Sequence, residues 1–390
     1  MGDVDKTGYE KLDNSRQWKP SLNAEGESQS FIEPGSNFPL VENQDFERLL
    51  VVMTDRHIGN LMVSLYAIQA VSRQLKPNQS LRCIVDSKLL GLAEYFLPEV
   101  EFIPFALRGK SPSLGTKLKL LFRLWKSFRA QKSDVAVDLY GHSESLKLAQ
   151  FSGANYISAY YCRPKLKDQF DWQADNTSLK PVHQVDYYRM PFLPLIGPVE
   201  VEPVQAVANE AILNNIAAKL VQLGRDSGKT LLVIHPGAGK EYKLWPIKYW
   251  CSLIEKLEQQ GYQILLIGSG ADKDQVDQIV ANNRISPLNG FMQFNLIETI
   301  HLGFIAKGFI GNDSGPAHLL ATTPATVISL FGPTDAVLWA PLSPNGHVLR
   351  SAEPCLPECS KGECQRSVSC LDALEPSTVL ELLLSTQESQ

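Results

Sequence analysis

No stretch of this sequence is long and apolar enough to span a bilayer, which takes roughly 20 consecutive apolar residues. Residues 1–30 also lack the apolar core of a secretory signal, so the expected compartment is the cytoplasm. Positive charge is not in excess: 37 Lys and Arg stand against 42 Asp and Glu, a net charge of −5. That balance argues against a nucleic-acid binder, because neutralising phosphates calls for a clearly basic face. Small-molecule partners are expected instead. The seven cysteines include no C-x2-C pair, the tight spacing of common zinc sites.

One local absence is informative. Residues 102–133 contain no acid, while Arg108, Lys110, Lys117, Lys119, Arg123, Lys126, Arg129 and Lys132 interleave with Leu118, Leu121, Phe122, Trp125 and Phe128 at helical spacing. Two readings stand for such a basic amphipathic helix: a peripheral contact with an anionic membrane surface, such as an inner membrane, or a crossover helix with a solvated lysine face.

What is present suffices for two domains. The chain has 390 residues, 44% of them hydrophobic, too many for one domain of ordinary size. Residues 1–44 mix Gly, Ser, Asn, Lys and Glu with few clustered apolar positions and read as a flexible tail. Order is expected from 48–54, RLLVVMT, a continuous apolar run of the kind found in parallel strands covered on both faces. Asp55, Arg56, His57, Ile58, Gly59 and Asn60 form a loop into a helix over 61–75, the first βα unit of a doubly wound domain. Strands follow at 81–85 and 134–139, while 160–205, rich in aromatics and prolines, reads as the end of the domain and its linker.

The second half repeats the alternation. A helix over 206–223 precedes a strand at 230–234, the loop HPGAGKEYKLWP at 235–246, a helix to 260 closed by Gly261, and a strand at 262–267 ending in Gly268, Ser269 and Gly270. Helices over 272–282 and 295–306 lead to GFIGNDSGPAHLLATTPA at 308–325, which reads as strand, turn, helix. Pro316 suits a first helical turn, and Asp313 or Ser314 could cap the amides behind it. A helix start of this kind favours a phosphate, with His318 one turn in as a further donor. Glycines at the strand ends permit close backbone approach, and Lys243 adds a full positive charge.

The motifs HPGAGKEYKLWP, GNDSGPAHLLATTP and FGPTD, with TDRHIGNLMVSLYAIQAV and DVAVDLYGHSESLKLAQFSGA in the first half, resemble those of glycosyltransferase family 9, the heptosyltransferase-like enzymes. The resemblance spans roughly residues 48 to 385. It implies a GT-B fold of class α/β, two Rossmann-like domains facing a central cleft. The expected divisions are a tail at 1–44, an acceptor domain at 45–205, a donor domain at 206–351, a Cys-rich loop at 352–371, and a helix at 372–390 packing back across the cleft. It further implies an inverting, metal-independent transfer, with no cofactor, from a nucleotide sugar, ADP-heptose above all, to a saccharide or lipid-linked saccharide of lipopolysaccharide type.

Carried over by position, the donor residues are Gly237, Ala238, Lys243, Gly268, Asp313, Ser314, Gly315 and His318. This chain departs from the pattern at the family's catalytic carboxylate, whose position is held by Asn60; an amide cannot accept the proton. Asp55 and His57 on the same loop are the candidate bases. A sugar-nucleotide binder without transferase activity is the alternative, and a GT-B epimerase a third reading. The acidic residue that holds the donor ribose is not evident, with Asp272 and Asp274 nearest. Cys355, Cys359, Cys364 and Cys370 correspond to a Cys-rich loop of related members and are candidates for a structural zinc or iron, or else free thiols.

Overall fold

The computed structural model describes residues 10–12, 46–106, 114–160, 166, 169–173, 183–197, 199–284, 286–351 and 369–388. The chain divides into two compact units: Pro20–Val204, here the first unit, and Gln205–Gln390 together with Met1–Lys19, the second.

The chain opens with β1 (Glu10–Leu12), which belongs to the second unit. The first unit then runs β2 (Arg48–Met53), α1 (Ile58–Gln74), β3 (Ser80–Asp86), α2 (Leu90–Phe96), β4 (Glu101–Phe105), α3 (Leu114–Ala130), β5 (Val135–Asp138), α4 (Ser143–Phe151), β6 (Tyr156–Ala159), β7 (Trp172–Gln173), α5 (Gln184–Arg189) and α6 (Leu193–Ile196). Its sheet has the order β4-β3-β2-β5-β6-β7 and every pairing is parallel. The apolar run at 48–53 is buried from Leu49 onward because helices cover both faces of the sheet. Register sets Val52 of β2 beside Asp138 of β5. The loops after these two strands therefore leave the same carboxyl edge, where doubly wound sheets bind ligands.

The second unit continues with α7 (Glu210–Gln222), β8 (Thr230–His235), α8 (Ile247–Gln259), β9 (Tyr262–Gly268), α9 (Lys273–Asn282), β10 (Leu288–Phe291), α10 (Leu296–Leu302), β11 (Gly308–Asn312), α11 (Gly315–Leu320), β12 (Thr326–Phe331), α12 (Ala336–Trp339), β13 (Gly346–Arg350) and α13 (Pro376–Glu388). The sheet order is β1-β13-β12-β11-β8-β9-β10, parallel except for β1. Its core gathers Leu232, Ile234, Ile264, Leu266, Trp245 and Trp250, the two indoles meeting edge to face with centroids 4.7 Å apart. Truncating either indole to Ala would cost about 3–5 kcal/mol. Gly261 closes α8 at φ 88°, the left-handed conformation that only glycine adopts without strain.

One expectation needs correction. Glu10–Leu12 is not tail: it pairs antiparallel with Val348 to Arg350, satisfying the edge of β13. Within the span 160–205, read as the end of the domain and its linker, α5 packs on α1. The closing helix α13 packs on α8 of its own unit. There Val379, Leu382 and Leu383 join the core of Trp250, Leu253 and Leu257.

Candidate active site

In the second unit the parallel strands β8, β9 and β11 deliver three loops to one edge of the sheet. At the end of β11, Asn312 is fully buried. Its Nδ2 donates to the carbonyl of Pro236 at 2.7 Å, and its Oδ1 accepts from the amide of Trp245 at 3.2 Å. One side chain thus staples the loop after β8 to the end of β11. Next along the chain, Asp313 is 8% exposed and accepts from Lys243 Nζ at 2.6 Å. Lys243 and Asp313, both singled out from sequence, are brought into one ion pair.

Behind this ion pair runs a chain of three polar groups. His235, the last residue of β8, meets Ser314 Oγ through Nδ1 at 3.1 Å and Asp272 Oδ2 through Nε2 at 3.4 Å. Asp272 also accepts from the amide and the hydroxyl of Ser269, both at 2.8 Å. Burial alone would raise the Asp272 pKa, but the hydrogen bonds and charge of His235 and the bonds from Ser269 outweigh it and hold the carboxyl below its ordinary value. An ionised Asp272 calls for a proton on His235 Nε2, the nitrogen that faces it. Gly237 has to be glycine here, because a Cβ would fall 1.9 Å from Asp272 Oδ1. Ala238 lies in the same loop, and Gly268 ends β9 against Asp272 Cβ.

Two expectations change. Ser314 is the N-cap residue of α11 by position, but its side chain makes no capping bond and is given to His235 instead. Asp272, a candidate for holding a ribose, is buried and committed to Ser269 and His235, whereas Asp274 is exposed. Gly315 begins α11 beside Pro316, as expected, and His318 lies one turn in at 3% exposure.

In the first unit, Asp55 follows β2 and is 7% exposed. One oxygen accepts from the amide of His57 at 2.9 Å and from His57 Nδ1 at 2.6 Å; the other accepts from Asn60 Nδ2 at 2.6 Å. Burial would raise this carboxyl, yet the bonds from His57 and Asn60 prevail and its pKa lies below the ordinary value. Such a carboxylate stays ionised and is a weak base at neutral pH. With Nδ1 donating to Asp55, the basic lone pair of a neutral His57 is on Nε2, and the ring is 77% exposed. The three residues singled out from sequence therefore form one hydrogen-bonded cluster, in which Asp55 accepts from both His57 and Asn60.

Neighbouring groups complete this edge. Asp138 is fully buried and accepts from the amides of Tyr140 and Gly141 at 2.8 and 3.0 Å and from Ser145 Oγ at 2.7 Å. Burial nevertheless lifts its pKa to about 6. Tyr188 of α5 is raised well above its ordinary value, first by burial and then by Tyr160 and Asp55.

Sequence reasoning missed His235, Asn312, Asp138 and Tyr188. Each of the first three ends a strand or adjoins its last residue, a position from which their relevance could have been read. Of the four cysteines considered for metal, Cys355, Cys359 and Cys364 lie outside the described residues. Cys370 is buried beside Leu371 and Leu374. Among the described residues, no group of three or more His, Cys, Asp or Glu side chains is placed to hold a metal ion.

Comparison with known proteins adds to this geometry. The family model described as "Glycosyltransferase family 9 (heptosyltransferase)" matches residues 121–368, well over half of the chain. Lipopolysaccharide heptosyltransferase 3 of Escherichia coli is 26% identical over 265 residues, covering 64% of this chain and 73% of the relative. Lipooligosaccharide heptosyltransferase 2 of Haemophilus influenzae is 29% identical over 336 residues, covering 80% and 92%. Among solved structures, E. coli ADP-heptose lps heptosyltransferase II superposes with a TM-score of 0.70 at 21% identity, covering 88% of this chain and 100% of that one. The architecture is GT-B.

Proposed function

The chain belongs to glycosyltransferase family 9, and from that premise we propose that it transfers a heptosyl group, with inversion, from ADP-heptose to a saccharide hydroxyl of a lipopolysaccharide-type acceptor. The relatives named for heptosyl transfer support the choice of sugar, and the solved relative named for ADP-heptose supports the nucleotide.

The observation that carries the reading is the cluster of Lys243, Asp313, Ser314, His235 and Asp272 at one sheet edge of the second unit. The diphosphate binds there, its charge met by Lys243 and by backbone amides of the glycine-bearing loops at 236–239 and 313–315. In the step itself the acceptor oxygen bonds to the anomeric carbon while the bond from that carbon to the phosphate oxygen breaks. The electron pair leaves on the diphosphate, where Lys243 offsets the added charge. His57 takes the acceptor proton on Nε2, and Asp55 holds the ring and offsets the imidazolium as it forms. A single displacement inverts the anomeric centre. The reaction so written draws on no cofactor, and the enzyme works on the cytoplasmic side with a peripheral contact to the membrane that holds its acceptor.

Asn60 motivates the rival reading of a sugar-nucleotide binder without turnover. The Asp55–His57 pair favours the enzyme, because it supplies an oriented base where the amide cannot. The test is incubation of the full chain with ADP-heptose and a heptose-terminated core saccharide, with the product read by NMR. A new glycosidic bond of inverted configuration is expected. Retention of configuration, or release of ADP at the same rate without acceptor, would overturn the mechanism.

A further inference from the structure

α3 presents two different faces. Leu124 and Phe128, four residues apart, turn inward and pack with Leu50, Val52, Leu146 and Leu148 in the core of the first unit. Phe122 and Trp125 turn outward, 61% and 42% exposed, their rings stacked with centroids 5.7 Å apart. The guanidinium of Arg129 lies 5.1 Å from the centroid of Trp125. Phe151, at the end of α4, is 46% exposed and meets Phe128 edge-on. Among the described residues, the exposed aromatic side chains are these three. All lie on α3 or against it.

The charge pattern is equally local. α3 contains Lys117, Lys119, Arg123, Lys126 and Arg129 and no acid, and Lys132 follows it, within a chain whose net charge is −5. A solvated lysine face accounts for the cations but not for a stacked Phe–Trp pair set among them. An aqueous surface gains nothing from exposing those rings. A bilayer interface uses both: aromatic rings settle at the headgroup level, and lysines and arginines meet anionic headgroups.

We propose that the outer face of α3, built on Phe122, Trp125, Lys119, Arg123, Lys126 and Arg129, docks the protein on the surface of an anionic phospholipid bilayer. The face works from the side, with the helix lying in the interface and its Leu124–Phe128 stripe still seated in the protein core. The inference stands on α3 alone and does not depend on the heptosyl assignment.

The experiment is co-sedimentation of the full chain with vesicles of 30% phosphatidylglycerol in phosphatidylcholine, set against pure phosphatidylcholine vesicles and repeated in 0.5 M salt. Binding is expected to the anionic vesicles only and to fall in high salt. Phe122→Ser with Trp125→Ser should reduce partitioning at least tenfold, and Arg123→Glu with Lys126→Glu by more, at about fivefold for each cation removed. Both pairs are solvent-facing, so thermal unfolding should match the parent, and turnover of a soluble saccharide without vesicles should be unchanged. That readout separates failure of this proposal from failure of the transferase reading. Equal sedimentation of parent and variants would overturn it, as would binding to heparin that survives loss of both aromatics and abolishes vesicle binding. Self-association in sedimentation velocity that the aromatic variant dissolves would assign the face to a second copy and overturn it too.

Discussion

Asn60→Asp installs the carboxylate that the family's motif has at this position, and the structure predicts that in this chain it does harm. Asn60 Nδ2 donates to Asp55 Oδ2 at 2.6 Å, so the new oxygen lands against one that already carries charge. Asp55 is 7% exposed and has a lowered pKa, so it does not readily yield by taking the proton itself. Two unit charges about 4 Å apart repel by about 4 kcal/mol at an effective dielectric constant near 20. The pair escapes by binding one proton, which for a carboxyl of ordinary pKa costs about 4 kcal/mol at pH 7 and about 1.5 kcal/mol at pH 5. The smaller of repulsion and protonation sets the penalty. The variant should therefore lose about 4 kcal/mol of local stability at pH 7 and about 1.5 kcal/mol at pH 5 relative to the parent. The exchange variant, Asp55→Asn with Asn60→Asp, keeps one amide and one carboxylate in contact and should recover most of the loss. Hydrogen exchange of α1 amides, read by mass spectrometry at both pH values, reports on this unit without requiring the whole chain to unfold in one step. The reasoning fails if Asn60→Asp matches the parent at pH 7, or if the two substitutions cost the same separately and together.

Further outcomes follow from the same contacts. His57→Ala should lower kcat by about 10²–10⁴-fold, and because the ring is exposed, added imidazole should restore part of the rate; no rescue, with Asp55→Asn fully active, would remove His57 as base. Asp138 has a folded pKa of about 6, above the unfolded value, so its contribution is complete at low pH and is lost as pH rises through 6. Asp138→Asn keeps acceptors for the Tyr140 and Gly141 amides and should gain about 3 kcal/mol on the parent between pH 4 and pH 7, a gain that denaturation at the two pH values would detect. Gly237→Ala puts a methyl within 1.9 Å of Asp272 Oδ1 and should raise the KM for donor at least tenfold while leaving α1 protection untouched; an unchanged KM would show that the loop after β8 does not touch the donor.

Much of the fold was legible because its signals are local. The apolar runs at 48–53, 230–235 and 308–312 are buried strands bounded by turn residues, and Gly261 and Pro316 punctuate helices where their backbone preferences require. β1 was not legible, because a three-residue strand owes its existence to the open edge of β13 and not to its own composition. Nor was α5, whose stability comes from packing on α1. At the sheet edge of the second unit, loop chemistry announced Gly237, Lys243 and Asp313, whereas the commitment of Ser314 to His235, and of His235 to Asp272, joins three strand ends distant in sequence. In the first unit the sequence named Asp55, His57 and Asn60 but could not rank them. Which carboxylate oxygen accepts which donor is a matter of three hydrogen bonds of 2.6 to 2.9 Å, which sequence does not show.

The central claim is that Lys243 and the loops beside it hold the diphosphate of the donor, and calorimetric titration of ADP into the full chain tests it most directly. The parent should bind. Lys243→Met should weaken binding at least tenfold, and Lys243→Met with Asp313→Asn, which removes the stranded carboxylate as well, should remain weak because the cation is gone. Parent-like affinity in both variants would place the diphosphate elsewhere and contradict the account.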